Sequence, residues 1–142
     1  MKFLIILLSL VTIQKSCDHS KINQDNISLE YTASSRNTYK LVLINKKTIS
    51  LTTKRGRNPI VKYCNEENWN SIIKLLQPIN VETISALEPP SKDHQFDGAA
   101  MARLKIIYDG NTYKTQSFDH GNAPEEIEAL VKEILSIAEN IE

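Results

Sequence analysis

The sequence is poor in cysteine and glycine, and these shortages exclude several classes of function. Its two cysteines, Cys17 and Cys64, are too few for a disulfide framework or a cysteine-based zinc site. None of the four glycines belongs to a glycine-rich phosphate loop. The sequence also lacks the paired histidines of a zinc protease, an EF-hand loop and the nucleophile elbow of a hydrolase. No established catalytic motif is therefore present.

The chain also lacks an excess of either charge. Seventeen lysines and arginines balance seventeen aspartates and glutamates, so the formal net charge is zero. Removal of residues 1–16 would take away two lysines, leaving a net charge of about −2. A dedicated nucleic-acid-binding protein carries a strong basic excess. Nucleic acid is therefore not an expected partner.

The one long apolar run lies at the start of the sequence. It covers residues 3–13 (FLIILLSLVTI), follows Met1-Lys2 and ends at Gln14-Lys15-Ser16. A membrane-spanning helix needs about 20 apolar residues, so this run is too short to cross a bilayer. Its length and position are typical of the hydrophobic part of a secretory signal peptide. Residues 1–16 are therefore predicted to be a signal peptide, with a buried core strand as the alternative.

Ser16-Cys17 follows this run, and the segment resembles a bacterial lipoprotein signal peptide. In that family a small residue precedes a cysteine that is lipidated on its thiol and becomes the new N-terminus. The resemblance implies lipidation of Cys17 and a membrane anchor in the cell envelope, outside the cytoplasm. Gln14 and Lys15 depart from the pattern, which has apolar and small residues there, so a secreted, soluble protein is the alternative. In signal, size and layout the whole chain is similar to the small uncharacterised lipoproteins of bacteria, which implies a location but no activity.

The rest of the chain predicts a tether and one domain. Residues 18–26 (DHSKINQDN) are polar and show no periodicity, so residues 17–26 are expected to be the lipidated cysteine and a polar tether. The remaining residues, 27–142, are enough for a single domain with a hydrophobic core. If Cys17 is lipidated, Cys64 is expected to be a small buried hydrophobe; otherwise the two could form a disulfide.

The first half of this domain predicts three strands and a helix. Apolar and β-branched residues alternate or concentrate in three short segments, residues 27–33, 39–44 and 48–53. Short polar turns separate the segments, a pattern typical of an antiparallel meander. Asn65 then stands as an N-cap before apolar residues at helical spacing, and Pro78 ends that run.

The second half predicts a hairpin. A two-residue turn at Asp109-Gly110 places the apolar residues of both strands on one face of the sheet. This register pairs Ile106 with Tyr113 and Ala102 with Ser117. A three-residue turn would break the alternation, so the two-residue turn is favoured.

A final helix follows the hairpin. Asn122 and Glu125 have the spacing of a capping box at its start. An irregular connection with two prolines, residues 87–95, separates the two halves of the domain. The order βββα-ββα predicts an α+β fold in which a five-stranded antiparallel sheet carries two helices on one face.

Basic residues concentrate in one part of the domain. Eight lie between Tyr31 and Asn65 without a single acidic residue, whereas the stretch from Glu125 holds six glutamates and one lysine. One interpretation is a set of solvated turns and a helix face that attract each other weakly. The other is a basic surface for an anionic partner, such as lipid head groups, a polysaccharide or an acidic envelope protein. The candidate contacts on that surface are Lys54, Arg55 and Arg57.

Two Phe-Asp pairs bracket the hairpin, at Phe96-Asp97 and Phe118-Asp119-His120. Antiparallel pairing would bring Asp97 close to residue 122, so Asp97, Asp119 and His120 could ligate a divalent metal or act as an acid/base pair. Local capping of strand and helix ends is the other interpretation, and the favoured one. We therefore expect a binding or interaction module without a cofactor. A divalent-metal-binding protein or metal-dependent hydrolase at this end of the hairpin is the alternative.

Lipidation of Cys17 can be tested directly. In cells given a fatty-acid analogue, the wild-type protein should be labelled and Cys17→Ala should not, because the thiol is the acyl acceptor. Equal background labelling of both forms, with both released into the medium, would contradict a lipid anchor.

Overall fold

The computed structural model describes residues 23–142. The predicted signal peptide, Cys17 and most of the predicted tether lie outside the described residues. The last three tether positions, Gln24–Asn26, form a short 3-10 helix, and Gln24 Oε1 accepts a hydrogen bond from Trp69 Nε1 at 3.1 Å. The polar segment therefore joins the domain before the first strand begins. No helix within residues 23–142 combines the length and the hydrophobicity that a membrane span requires.

The described residues contain seven strands and two α-helices. The strands are β1 (Ile27–Ser34), β2 (Tyr39–Asn45), β3 (Thr48–Thr52), β4 (Ile60–Tyr63), β5 (Met101–Tyr108), β6 (Asn111–Lys114) and β7 (Phe118–Asp119). The helices are α1 (Glu66–Leu76) and α2 (Glu125–Glu139), with two further 3-10 helices at Val81–Ala86 and Asp93–Phe96. The antiparallel sheet has the order β4-β3-β2-β1-β5-β6. Strand β7 follows β6 on the same side of β5 and pairs with the start of β5.

The predicted α+β class with an antiparallel sheet and two helices is confirmed, but the count of five strands is wrong. One additional strand, β4, continues the meander at the edge of the sheet. All four of its residues are exposed, so it lacks the alternating burial that reveals a strand in a sequence. The other additional strand, β7, arises because the second arm of the predicted hairpin is interrupted.

This interruption is a β-bulge between β6 and β7. The predicted pairing of Ile106 with Tyr113 is confirmed, but Ala102 pairs with Phe118 and not with Ser117. One extra residue therefore lies on the outer arm, as in a bulge. The shift brings the Phe118 side chain to the core, where it is fully buried, in place of a serine hydroxyl. Burial of a phenyl ring stabilises the fold by about 2 kcal/mol, whereas a buried hydroxyl would need a partner.

One face of the sheet and both helices form a single core. Strand β1 alternates buried and half-buried residues along its whole length, as the sequence predicts. Each helix buries one apolar stripe against that face; the stripes are Trp69, Ile72, Ile73 and Leu76 in α1, and Ile127, Leu130, Val131, Ile134, Ile137 and Ala138 in α2. Cys64 is buried in the same core, the packing role expected of a lone thiol.

The two helices begin differently. In α1 the Asn65 side chain accepts a hydrogen bond from the Asn68 N–H at 2.8 Å, which confirms the predicted N-cap. In α2 the predicted capping box is wrong, because the extended backbone of Pro124 delays the helix to Glu125. The Asn122 amide instead donates to Ser91 Oγ at 2.7 Å.

The Asn65 cap yields a stability prediction. Asn65→Ala should lower the free energy of unfolding by about 1 kcal/mol, because the Asn68 N–H loses its acceptor. Asn70→Ala, at an exposed position of the same helix, is the matched control and should be neutral or slightly stabilising. Urea unfolding of both variants measures the difference, and equal stabilities would contradict the capping role.

Candidate functional site

Both groups of candidate residues lie at the same end of the sheet. Strand β1 ends where β2 and β5 begin, since Ser34 pairs with both Tyr39 and Met101. At this end β3 leads through loop 53–59 into β4, and β7 pairs with the start of β5. We call this region, made of turn 35–38, loop 53–59 and segments 91–100 and 118–122, the candidate end. The topology thus joins two sites that the sequence suggests as alternatives.

Direct contacts connect these segments. The Arg36 guanidinium lies 3.8 Å from Asp97 Oδ2, although both side chains are largely exposed. Arg55 Nη2 donates to the Ser35 carbonyl at 3.2 Å, and its guanidinium lies 5.3 Å from the centre of the Tyr39 ring. Turn 35–38 therefore contacts the basic loop on one side and the first Phe-Asp pair on the other.

The cations of loop 53–59 are not neutralised by the acidic final helix. Lys54 and Arg57 are exposed and make no ion pair within residues 23–142. In the same residues, no ion pair joins the basic stretch 31–65 to α2, where Lys132 pairs with Glu128 of its own helix. The ion pairs therefore give no support to the interpretation that the basic stretch and the final helix attract each other.

Asp119 is the most completely bonded side chain at the candidate end. It is only 2% exposed, and its two carboxylate oxygens accept four hydrogen bonds. The donors are the Ser91 hydroxyl, the Asp93 N–H at 2.9 Å, the His94 N–H at 2.7 Å and His94 Nδ1 at 2.6 Å. A carboxylate has about four lone-pair positions, so its acceptor capacity is used by the protein itself.

These bonds keep Asp119 ionised despite its burial. Burial alone would raise the pKa of this carboxyl group. The hydrogen bonds from Ser91, His94 and Asp93 outweigh that effect and hold the pKa well below its usual range. Asp119 is therefore a fixed negative charge that anchors the segment 91–94.

Ser91, His94 and Asp119 are the residue types of a hydrolytic triad, but their connections differ from those of a triad. In a triad the histidine lies between the carboxylate and the nucleophile and removes its proton. Here the Ser91 hydroxyl donates to Asp119 and accepts from the Asn122 amide, while His94 Nδ1 bonds to the other carboxylate oxygen. No observed bond connects Ser91 to His94, so the three side chains do not have the connections of a triad.

His120 occupies a separate position on the core side. Its Nδ1 lies 2.7 Å from the hydroxyl of Tyr31, whose ring is fully buried. Burial lowers the pKa of His120, and nearby Lys40 lowers it further against the opposing effect of Glu139. Burial also raises the pKa of the Tyr31 phenol. The phenol therefore keeps its proton and is hydrogen-bonded to a neutral His120.

The first Phe-Asp pair, Phe96-Asp97, is exposed and does not take part in the hydrogen bonds of Asp119. Asp97 ends a 3-10 helix in the left-handed conformation, with φ of 58°, and its side chain is 78% exposed beside Arg36. Asp97 makes no hydrogen bond to Asp119. The Phe96 side chain is also exposed, at 84%. Within residues 23–142, no three His, Cys, Asp or Glu side chains are grouped in a way that could hold a metal ion.

Comparisons with protein-family models, curated proteins and solved structures find no match to this chain. The chemistry of the candidate end therefore follows from its own geometry. Sequence reasoning did not select Ser91, because it lies in a connection without periodicity. It expected Phe96, like Phe118, to plug the end of the sheet, but Phe96 is exposed. The bulge, which could not be read from the pattern, decides which residue faces this connection.

The ionised Asp119 carboxylate should make the stability of the folded protein depend on pH in the acidic range. Its pKa is lowered in the folded protein, so the stabilisation is complete above the unfolded-state pKa of about 4 and is lost as the pH falls below it. Asp119→Asn should melt several degrees lower at pH 7, because an amide has one acceptor oxygen where the carboxylate has two, and it carries no charge. The difference should shrink between pH 4 and pH 2.5. Thermal unfolding across this range measures it, with the exposed Asp97→Asn as control; a difference that stays constant with pH would contradict this role.

Proposed function

We propose that the protein is an extracytoplasmic binding module, anchored to a membrane through Cys17, that contacts an anionic partner with its candidate end. One observation carries the binding proposal: exposed cations and an exposed aromatic ring share an end of the sheet whose buried carboxylate is already satisfied. Lys54, Arg57 and Phe96 are exposed there. Arginine and aromatic side chains are enriched at protein interfaces, and the cations attract a negative partner.

The charge at this end favours an anion over a cation. The Asp119 charge is buried and engaged in four hydrogen bonds, and Asp97 lies beside Arg36. Loop 53–59 thus presents its positive charge to solvent without an ion-pair partner among residues 23–142. Of its basic side chains, Arg55 is held in place by Ser35 and Tyr39, which reduces the entropy it would lose on binding.

The position of the anchor narrows the choice of partner. Strand β1 begins at Ile27 and reaches the candidate end at Ser34, so its eight residues span about 26 Å. The chain between Cys17 and Asn23 spans roughly 20 Å at most when fully extended. The tether therefore starts from the opposite end of β1 and is too short to bring a lipid on Cys17 to the candidate end. This favours an acidic envelope protein or a polysaccharide over the head groups of the anchoring membrane.

A divalent-metal-binding protein or metal-dependent hydrolase at Asp97, Asp119 and His120 is the less supported function. Asp119 would have to give up bonds to Ser91 and to the 93–94 backbone before it could ligate a metal. Asp97 lies beside Arg36 and His120 bonds to Tyr31, so the three side chains face different neighbours. Turnover in a broad hydrolase screen that disappears in Asp119→Asn would nevertheless favour this alternative.

The binding proposal is tested by reversing charge at loop 53–59. Lys54→Glu/Arg55→Glu/Arg57→Glu should bind a sulfated polysaccharide resin and an acidic polypeptide at least tenfold more weakly than wild type. The control reverses Lys74, Lys114 and Lys132, which gives the same change in net charge at exposed positions elsewhere. Because Arg55 contacts Ser35 and Tyr39, a second variant changes only Lys54 and Arg57. Equal losses in the loop and control variants would contradict a site at this end.

A further inference from the structure

Strand β4 is an open edge of the sheet with an apolar surface. Among residues 23–142 it pairs only with β3, because the sheet order of these residues ends with β4. Val61 is 54% exposed, Tyr63 is 74% exposed and Ile60 is 38% exposed. In an antiparallel strand alternate residues direct their N–H and C=O groups to opposite sides. Half of the β4 residues therefore point main-chain donors and acceptors away from the sheet.

Positive charge lies before this strand and within it. Loop 53–59, with Lys54 and Arg57, leads into the strand, and Lys62 lies within it. At its other end the Cys64 N–H donates to the Lys47 carbonyl at 2.9 Å, which brings the β2–β3 turn beside it. Glu66, the nearest acidic residue along the chain, belongs to the first turn of α1. The edge therefore combines main-chain groups without a strand partner in the described part of the chain, apolar side chains and cations.

A second copy of the chain is a poor match for this edge. Pairing two β4 strands would place Lys62 of one copy beside the cation-rich edge of the other, and like charges across a strand pair are destabilising. Short edge strands that carry lysine and are preceded by proline are devices that discourage such self-pairing. Here β4 has four residues, contains Lys62 and follows Pro59. The same lysine attracts a strand that carries carboxylates.

We propose that β4 is a docking edge for an extended, acidic segment of a partner protein, which adds to the sheet as a further strand. Main-chain hydrogen bonds to the open edge would supply affinity, as in other cases of strand addition. Apolar side chains of the segment would cover Val61 and Tyr63, and its carboxylates would face Lys54, Arg57 and Lys62. This inference rests on the proposed function, because it names the kind of anionic partner that the basic surface receives.

The test uses a defined probe. An eight-residue peptide of alternating glutamate and valine is titrated into the isotope-labelled protein, with amide chemical shifts and amide hydrogen exchange as readouts. The expected result is binding that shifts the β4 amides and slows exchange at those β4 N–H groups that point away from β3. The same peptide with N-methyl groups on alternate residues should bind at least tenfold more weakly, because it cannot complete the main-chain bonds. An alternating lysine–valine peptide should not bind.

Protein variants separate the edge from the basic loop. Lys62→Glu should weaken binding of the glutamate–valine peptide several-fold, whereas the matched Lys74→Glu on α1 should not. If N-methylation has no effect, or the β4 amides do not respond, the docking edge is wrong, while loss of polysaccharide and acidic-polypeptide binding in the loop 53–59 variants still supports the proposed function. If those variants bind as wild type does, the proposed function fails as well. Protection of the β4 amides that rises with protein concentration, without peptide, would overturn the proposal in favour of self-association.

Discussion

The buried Asp119 carboxylate is the interaction on which the candidate end depends. It holds Ser91, Asp93 and His94 against the second arm of the hairpin through four hydrogen bonds. A buried charge with an incomplete set of partners is costly, so all donors have to be positioned together. These bonds fasten residues 91–94 of the irregular connection to the sheet beside it. Phe96 and Asp97 lie just beyond this segment and are exposed to solvent.

This anchoring explains why the two Phe-Asp pairs, alike in sequence, differ in the fold. The second pair lies beside the start of β5, where the bulge brings Phe118 into the core and Asp119 under the connection. The first pair ends the 3-10 helix on the outer side of that connection, where no core is available. The similarity of the two motifs is therefore a matter of composition, and each takes its role from the backbone on which it lies.

Elements with strong periodicity could be predicted from the sequence, and elements without it could not. Strand β1 alternates over eight residues and both helices carry apolar stripes, so the spacing of apolar residues identifies these elements in the sequence. Strand β4 buries nothing and leaves no pattern, although it creates an edge. The bulge is a choice between two registers that differ by one residue, decided by the burial of Phe118. For the candidate site, composition indicated the basic loop and Asp119, but the convergence of both at one end required the strand order.

Strand β1 lies at the centre of the sheet, between a neighbour close in sequence and one far away. It pairs with β2 across a turn of four residues. Its partners in β5 are far along the chain, since Ser34 pairs with Met101 and Ile27 with Tyr108. Contacts between distant residues carry a larger loop-closure cost and form late in folding. As the chain is synthesised, the meander of β1 to β4 can assemble while both of its outer strands still have an unpaired side. In the finished fold β5 closes the β1 side, whereas no further strand within residues 23–142 closes the β4 side.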